Sequence, residues 1–105
     1  MQKAIERIRK FNQERDWEQF HTPENLAKSI SIEAAELLEC FQWNNQFDQQ
    51  AVEEELADVL SYCIDLADAL KVDMEEILLK KIAKNEAKYP VEKAKGNSLK
   101  YTELK

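Results

Sequence analysis

The sequence predicts an all-α fold, and three observations carry the prediction. One Gly and two Pro in 105 residues leave too few turn residues for a β-sandwich or barrel. Apolar side chains recur at helical spacing along most of the chain. Polar residues with helix-capping chemistry stand at Thr22, Asp48 and Asp73. Neither Gly nor Pro occurs between Pro23 and Pro90, so the turns there fall to Asn, Asp and Gln. The length suits a single domain over 1–105, and because a lone core of this size is marginal, self-association is a reasonable expectation.

The first helix is expected over Gln2 to Glu14, where Ile5, Ile8 and Phe11 are spaced on one face among Lys, Arg and Glu. Thr22-Pro23-Glu24 then supplies an N-cap, a proline at the first helical position and an acid in the first turn. This second helix is predicted to run to Trp43, where Asn44-Asn45-Gln46 breaks it. Asp48 caps a third helix reaching Leu70, and the short connector makes the two antiparallel neighbours. Asp73-Met74-Glu75-Glu76 has the form of a capping box and opens a fourth helix, which the ring of Pro90 stops beyond Tyr89. Residues 91–105 form a polar, Lys-rich tail expected to be extended or mobile in isolation. The chain has no internal repeat.

Twenty-one acidic residues against 15 basic ones give a formal net charge of -6, which argues against a nucleic-acid polymer or an anionic membrane as partner. An acidic protein can still bind phosphates through a metal. Cys40 and Cys63 both fall inside amphipathic stretches and read as small buried thiols of a reducing compartment. No apolar leader opens the chain, and no run approaches the roughly 20 apolar residues of a membrane span, so a cytoplasmic location is expected.

A helix turns by about 100° per residue, which places every polar side chain relative to the apolar stripe. In the second helix the stripe is Leu26, Ile30, Ala34, Leu37 and Phe41; Glu33 stands almost above Leu26, and Glu36 lies further round the same edge beside Asn25 and Trp43. In the third it is Leu56, Val59, Leu60, Cys63, Leu66, Ala67 and Leu70. Glu55 and Tyr62 share one edge of that stripe, with Asp58 slightly further out. Each helix therefore presents an acid pair at i and i+3 where the two would meet. Four converging carboxylates repel one another unless protons or cations offset the charge. Oxygen-only ligands suit Mg²⁺ or Mn²⁺. The alternative is that these acids belong to solvated helix faces.

The fourth helix carries the stripe Met74, Ile77, Leu78, Ile82 and Tyr89, interrupted by Lys81 and Asn85. Either the stripe is exposed there, or both side chains reach a polar cavity, with Lys81 a point charge for phosphate and Asn85 a donor. His21 is the only histidine, which argues against di-iron and zinc sites. Standing just before the second helix, it is either a surface cap or a ring that stacks on or hydrogen-bonds to a ligand. Trp17, Phe20, Phe41 and Trp43 suit core or subunit contacts as well as base platforms.

Glu33-x-x-Glu36, Glu55-x-x-Asp58, Lys81-x-x-x-Asn85 and Tyr89-Pro90, in this order, resemble the all-α nucleoside triphosphate pyrophosphohydrolases of the MazG-like superfamily. Arg15-Asp16-Trp17-Glu18-Gln19-Phe20-His21, Asn25-Leu26, Phe41-Gln42-Trp43 and Lys100-Tyr101-Thr102-Glu103-Leu104 resemble its dCTP pyrophosphatase-like branch, although the connector between the second and third helices is shorter than in animal members. The resemblance implies a four-helix bundle-like core forming a homodimer or homotetramer, with Mg²⁺ held by Glu33, Glu36, Glu55 and Asp58. It implies a nucleoside triphosphate substrate, dCTP or a modified dCTP, cut to monophosphate and pyrophosphate in nucleotide-pool cleansing. His21, Trp43 and Tyr62, with Asn25, match positions near the base and sugar, and Glu39 is a candidate supporting acid or base. The competing expectation is a non-catalytic helical module that turns its acidic face to a protein partner. Retention of all four acids and Lys81 favours the enzyme.

Overall fold

The computed structural model describes residues 1–43 and 46–103, Tyr101 by its backbone alone. The chain divides into two compact units, Met1–Val72 and Asp73–Lys105, each treated by itself.

The first unit contains α1 (Gln2–Glu14), a 3₁₀ turn (Trp17–Phe20), α2 (Pro23–Glu39) and α3 (Gln49–Leu70). Local chemistry sets the helix starts. Thr22 Oγ1 accepts from the Asn25 N–H at 3.2 Å with Pro23 in the first turn, and Asp48 Oδ1 accepts from the Gln50 N–H at 3.0 Å. Asp16 takes a left-handed conformation with φ 55° to redirect the chain after α1, and Lys71, φ 58°, closes α3.

α2 and α3 are the main packed pair and run antiparallel: Ser29 shares a hollow with Tyr62 while Glu33 meets Glu55, so numbers rise on one helix as they fall on the other. α1 lies antiparallel on α3 by the same reasoning. Arg9 makes a two-pronged ion pair with Asp68 at 3.0 and 2.8 Å, and one turn on, Asn12 Nδ2 donates to Asp65 Oδ1 at 2.8 Å.

Two expectations are corrected here. α2 stops at Glu39, not Trp43, because its end tightens: the N–H groups of Cys40, Phe41 and Gln42 reach back three residues to Leu37, Leu38 and Glu39. Phe41 then packs on Phe47, ring centroids 4.9 Å apart. The Asn44-Asn45 part of the expected break lies outside the described residues, as does Leu104. The apolar stripes are also only partly covered. Among the described residues, Leu26, Ile64 and Ala67 are the buried hydrophobics, whereas Phe41, Leu56, Leu60 and Leu70 remain substantially exposed.

In the second unit, α4 (Met74–Lys88) starts where Asp73 Oδ1 accepts from the Glu76 N–H at 3.0 Å, and it ends before Tyr89-Pro90 as expected. The tail is not simply extended. Pro90 is the N-cap, still extended at φ -58°, ψ 144°, and its carbonyl accepts from the N–H groups of Lys93 and Ala94 to open the short α5 (Val91–Ala94). Gly96, φ 83°, follows it, and a 3₁₀ turn spans Tyr101–Glu103. Among the described residues, no helix is long and apolar enough to cross a membrane.

Candidate metal centre and adjoining cleft

The antiparallel register of α2 and α3 turns two sequence-distant acid pairs into one cluster. One oxygen each of Glu33, Glu55 and Asp58 lie within 4.8 Å of one another. Glu36, one turn beyond Glu33, hydrogen-bonds to Glu33 and also acts on Glu55. Glu33 Oε2 and Glu55 Oε2 are buried without a hydrogen-bond partner among the described residues. Buried polar atoms are nearly always satisfied, so two orphaned carboxylate oxygens facing a third acid need an explanation.

The electrostatics agree. Glu33 is raised from the usual 4.5 to about 7, first by the hydrogen bond with Glu36, which needs a proton between the two carboxyls, then by burial and by the charges of Glu36, Asp58 and Glu55. Burial, followed by the charges of Glu36 and Asp58, pushes Glu55 up as well. Among the described residues, every charge named as acting on Glu33 and Glu55 is negative. Oxygen donors from two rigid helices, with unpartnered lone pairs, fit a hard divalent cation.

Asp58 also borders a cleft of about 540 Å³ walled by Phe11, Trp17 and Tyr62. Phe11 and Trp17 meet edge to face at 5.4 Å, and the Arg15 guanidinium covers the Phe11 ring at 3.8 Å, holding that aromatic wall from behind. Burial raises the Tyr62 hydroxyl pKa, helped by the charges of Glu33, Asp65, Asp58 and Glu36, so Tyr62 keeps its proton and can donate it in a hydrogen bond. A smaller hollow of about 220 Å³ joins Trp17, His21 and Tyr62 to Asn25, whose Nδ2 donates to the Phe20 carbonyl at 3.2 Å.

The structure thus gathers Glu33, Glu36, Glu55 and Asp58 in one place and sets His21, Asn25 and Tyr62 around hollows that share Tyr62 and His21. It does not gather Glu39, which is exposed and lines a separate hollow with Leu38, Phe41 and Gln42. Trp43 is 85% exposed and lies past the end of α2. Lys81 and Asn85 lie one turn apart on α4, both exposed.

Two buried polar residues in the cleft, Asn12 and Asp65, escaped the sequence reading. Signals for both exist. Asn12 follows Ile5 and Ile8 at seven and four residues, inside the α1 stripe, and Asp65 follows Asp58 and Tyr62 at seven and three, on the same edge of α3.

Carboxylates from both members of an antiparallel helix pair, beside an aromatic cleft, define an all-α protein with an acidic centre suited to a divalent ion. The chain belongs to the MazG-like family, whose model matches residues 28–104. It is 39% identical over 104 residues to dCTP pyrophosphatase 1 of Mus musculus and 41% identical over 104 residues to that of Homo sapiens, each match covering 90% of this chain. The chain spans 61% of the length of both relatives. The crystal structure of a pyrophosphatase from Archaeoglobus fulgidus superposes with a TM-score of 0.76 at 44% identity, covering 86% of this chain and 92% of that one.

Proposed function

We propose that this chain is a Mg²⁺-dependent nucleoside triphosphate pyrophosphohydrolase that cuts a triphosphate, dCTP or a modified dCTP, into monophosphate and pyrophosphate. The observation that carries the reading is the convergence of Glu33, Glu55 and Asp58, with two buried unpartnered oxygens, beside an aromatic cleft of nucleoside size. The similarity to pyrophosphatases supports it.

Glu33, Glu36, Glu55 and Asp58 would hold the ion, with Mn²⁺ a substitute. A bound divalent ion supplies charge neutralisation for the triphosphate and for the water that attacks it. The residues of the chain do the rest. Phe11, Trp17 and Tyr62 offer faces for stacking a base. His21 and Asn25 are proposed to contact the base or sugar, and Trp43 to serve a base pocket completed by a second copy. Lys81 and Asn85 are proposed as phosphate contacts on their sequence pattern alone. Glu39 is proposed as a supporting acid or base on the same grounds.

A homo-oligomer is part of this reading. Ile32, Leu38, Trp43, Leu56 and Leu60 are exposed on a chain that buries few hydrophobics, and a second copy of the same helix surfaces would cover them. A cytoplasmic role in clearing surplus nucleotides is proposed with it. An acidic face built for a protein partner has no need to turn the oxygens of Glu33 and Glu55 inward.

The test is incubation of the purified chain with Mg²⁺ and a panel of triphosphates, with products separated by chromatography. Monophosphate and pyrophosphate are expected from at least one of them. No turnover of any triphosphate would overturn the enzyme, and orthophosphate with a diphosphate would contradict the bond assigned.

A further inference from the structure

The cleft beside Asp58 ends on a polar pair that the metal centre does not use. Asn12 and Asp65 are 6% and 7% exposed, and they are the only buried polar residues among those described. They come from different helices, α1 and α3, so the pair exists only when the two helices pack. Asn12 Nδ2 donates to Asp65 Oδ1 at 2.8 Å. That bond orients the amide, because a carboxylate can only accept. It occupies one of the two Asn12 N–H groups and one Asp65 oxygen. Among the described residues, the other N–H and Asp65 Oδ2 have no hydrogen bond within the chain, and both residues line the cleft. Burial pushes the Asp65 carboxyl up, while the Asn12 N–H and the charge of His21 pull it back.

Apart from the bond between them, the pair offers the acceptors Asp65 Oδ2 and Asn12 Oδ1 and one donor, the second N–H of Asn12. An acceptor next to a donor is the complement of an exocyclic amino group next to an unprotonated ring nitrogen. Cytosine has that edge in N4–H and N3, and adenine has it in N6–H and N1. Uracil, thymine and guanine present the reverse order, a carbonyl oxygen beside a ring N–H, which would set an oxygen against a buried carboxylate. Phe11 and Trp17 provide the wall on which a base so oriented would lie.

We infer that Asn12 and Asp65 are the specificity-determining pair of the cleft, admitting nucleotides whose base carries an amino group beside an unprotonated ring nitrogen and rejecting those that present a carbonyl oxygen beside a ring N–H. This rests on the nucleotide reading of the site, and it assigns that selectivity to two residues outside the acidic cluster.

The test uses the full chain in two arms. In the first, dCMP and dUMP are titrated into the metal-free protein by calorimetry. In the second, kcat/KM is measured for dCTP and dUTP with Mg²⁺. The wild-type chain is expected to prefer the cytosine nucleotide by about tenfold or more, the range of a good two-point base contact. Asp65→Asn, whose amide can donate where the carboxylate cannot, should bring the ratio near unity by raising activity on dUTP as well as lowering it on dCTP. A purely structural role would lower both alike. Should Asp65→Asn fail to fold by circular dichroism, the wild-type ratio and Asn12→Ala, which removes the donor and leaves the carboxylate, decide the matter. Equal wild-type affinities for dCMP and dUMP, or a folded Asp65→Asn that keeps the wild-type ratio, would overturn the inference. A chain that turns over no triphosphate sinks the pyrophosphohydrolase reading, whereas the monophosphate arm still decides the base preference.

Discussion

Glu33 and Glu36, one helical turn apart on α2, are joined by a hydrogen bond that needs a proton, and this bond does most to hold Glu33 at about 7. A carboxyl raised above its unfolded value favours the folded state while protonated. That contribution is complete below the ordinary value near 4.5 and is lost as pH climbs to about 7. The metal-free chain should therefore melt at progressively lower temperature between those two pH values. A divalent ion competes with the same proton, so Mg²⁺ should bind more tightly as pH rises through 7 and should remove the loss. Thermal melts across pH with EDTA or Mg²⁺, and calorimetry in buffers of different ionisation enthalpy to count released protons, check both points. A melting curve indifferent to pH in EDTA would contradict the shared proton.

Neutralising one acid while keeping its shape separates chemistry from folding. Glu36→Gln and Asp58→Asn should each abolish turnover and leave a folded helical protein, since both changes relieve repulsion in the cluster. Product chromatography and circular dichroism on the same samples decide. Full activity in both variants refutes the metal assignment.

Packing of the helix pair is concentrated at Leu26, which is 1% exposed. Leu26→Ala should cost about 2–5 kcal/mol, a large share of the stability of a domain this small. Removal of the Thr22 cap, whose Oγ1 holds the Asn25 N–H, should cost about 1 kcal/mol. Urea melts of both variants should rank them in that order.

The exposed side of α3 carries Leu56 and Leu60 one turn apart. If a second copy covers that side, Leu60→Lys buries a charge in the interface and should shift the mass seen by light scattering toward the monomer. An unchanged mass would remove α3 from the interface.

Much of the candidate site is legible in one dimension because it is built on helices. A period near 3.6 residues by itself places Glu33, Glu36, Glu55 and Asp58 on the edges of their helices' apolar stripes, and the caps at Thr22 and Asp48 set where those helices begin. Trp43 shows the limit of this reasoning. The α2 wheel does not reach it, because after Glu39 the chain end tightens into three-residue bonds.

What the sequence determined by itself, then, is the helical class, the helix starts and the two acid pairs, because caps, periodicity and i,i+3 spacing are local properties of the chain. What only the tertiary structure decided is which groups meet. The approach of Glu33 to Glu55, the orphaned oxygens of both, and the bond from Asn12 to Asp65 depend on the register and antiparallel sense of packed helices. The raised pKa of Glu33 also depends in part on that packing, through burial and the charges on α3. Burial and charge coupling are set by distances through space, and residues 53 positions apart acquire such a distance only on folding.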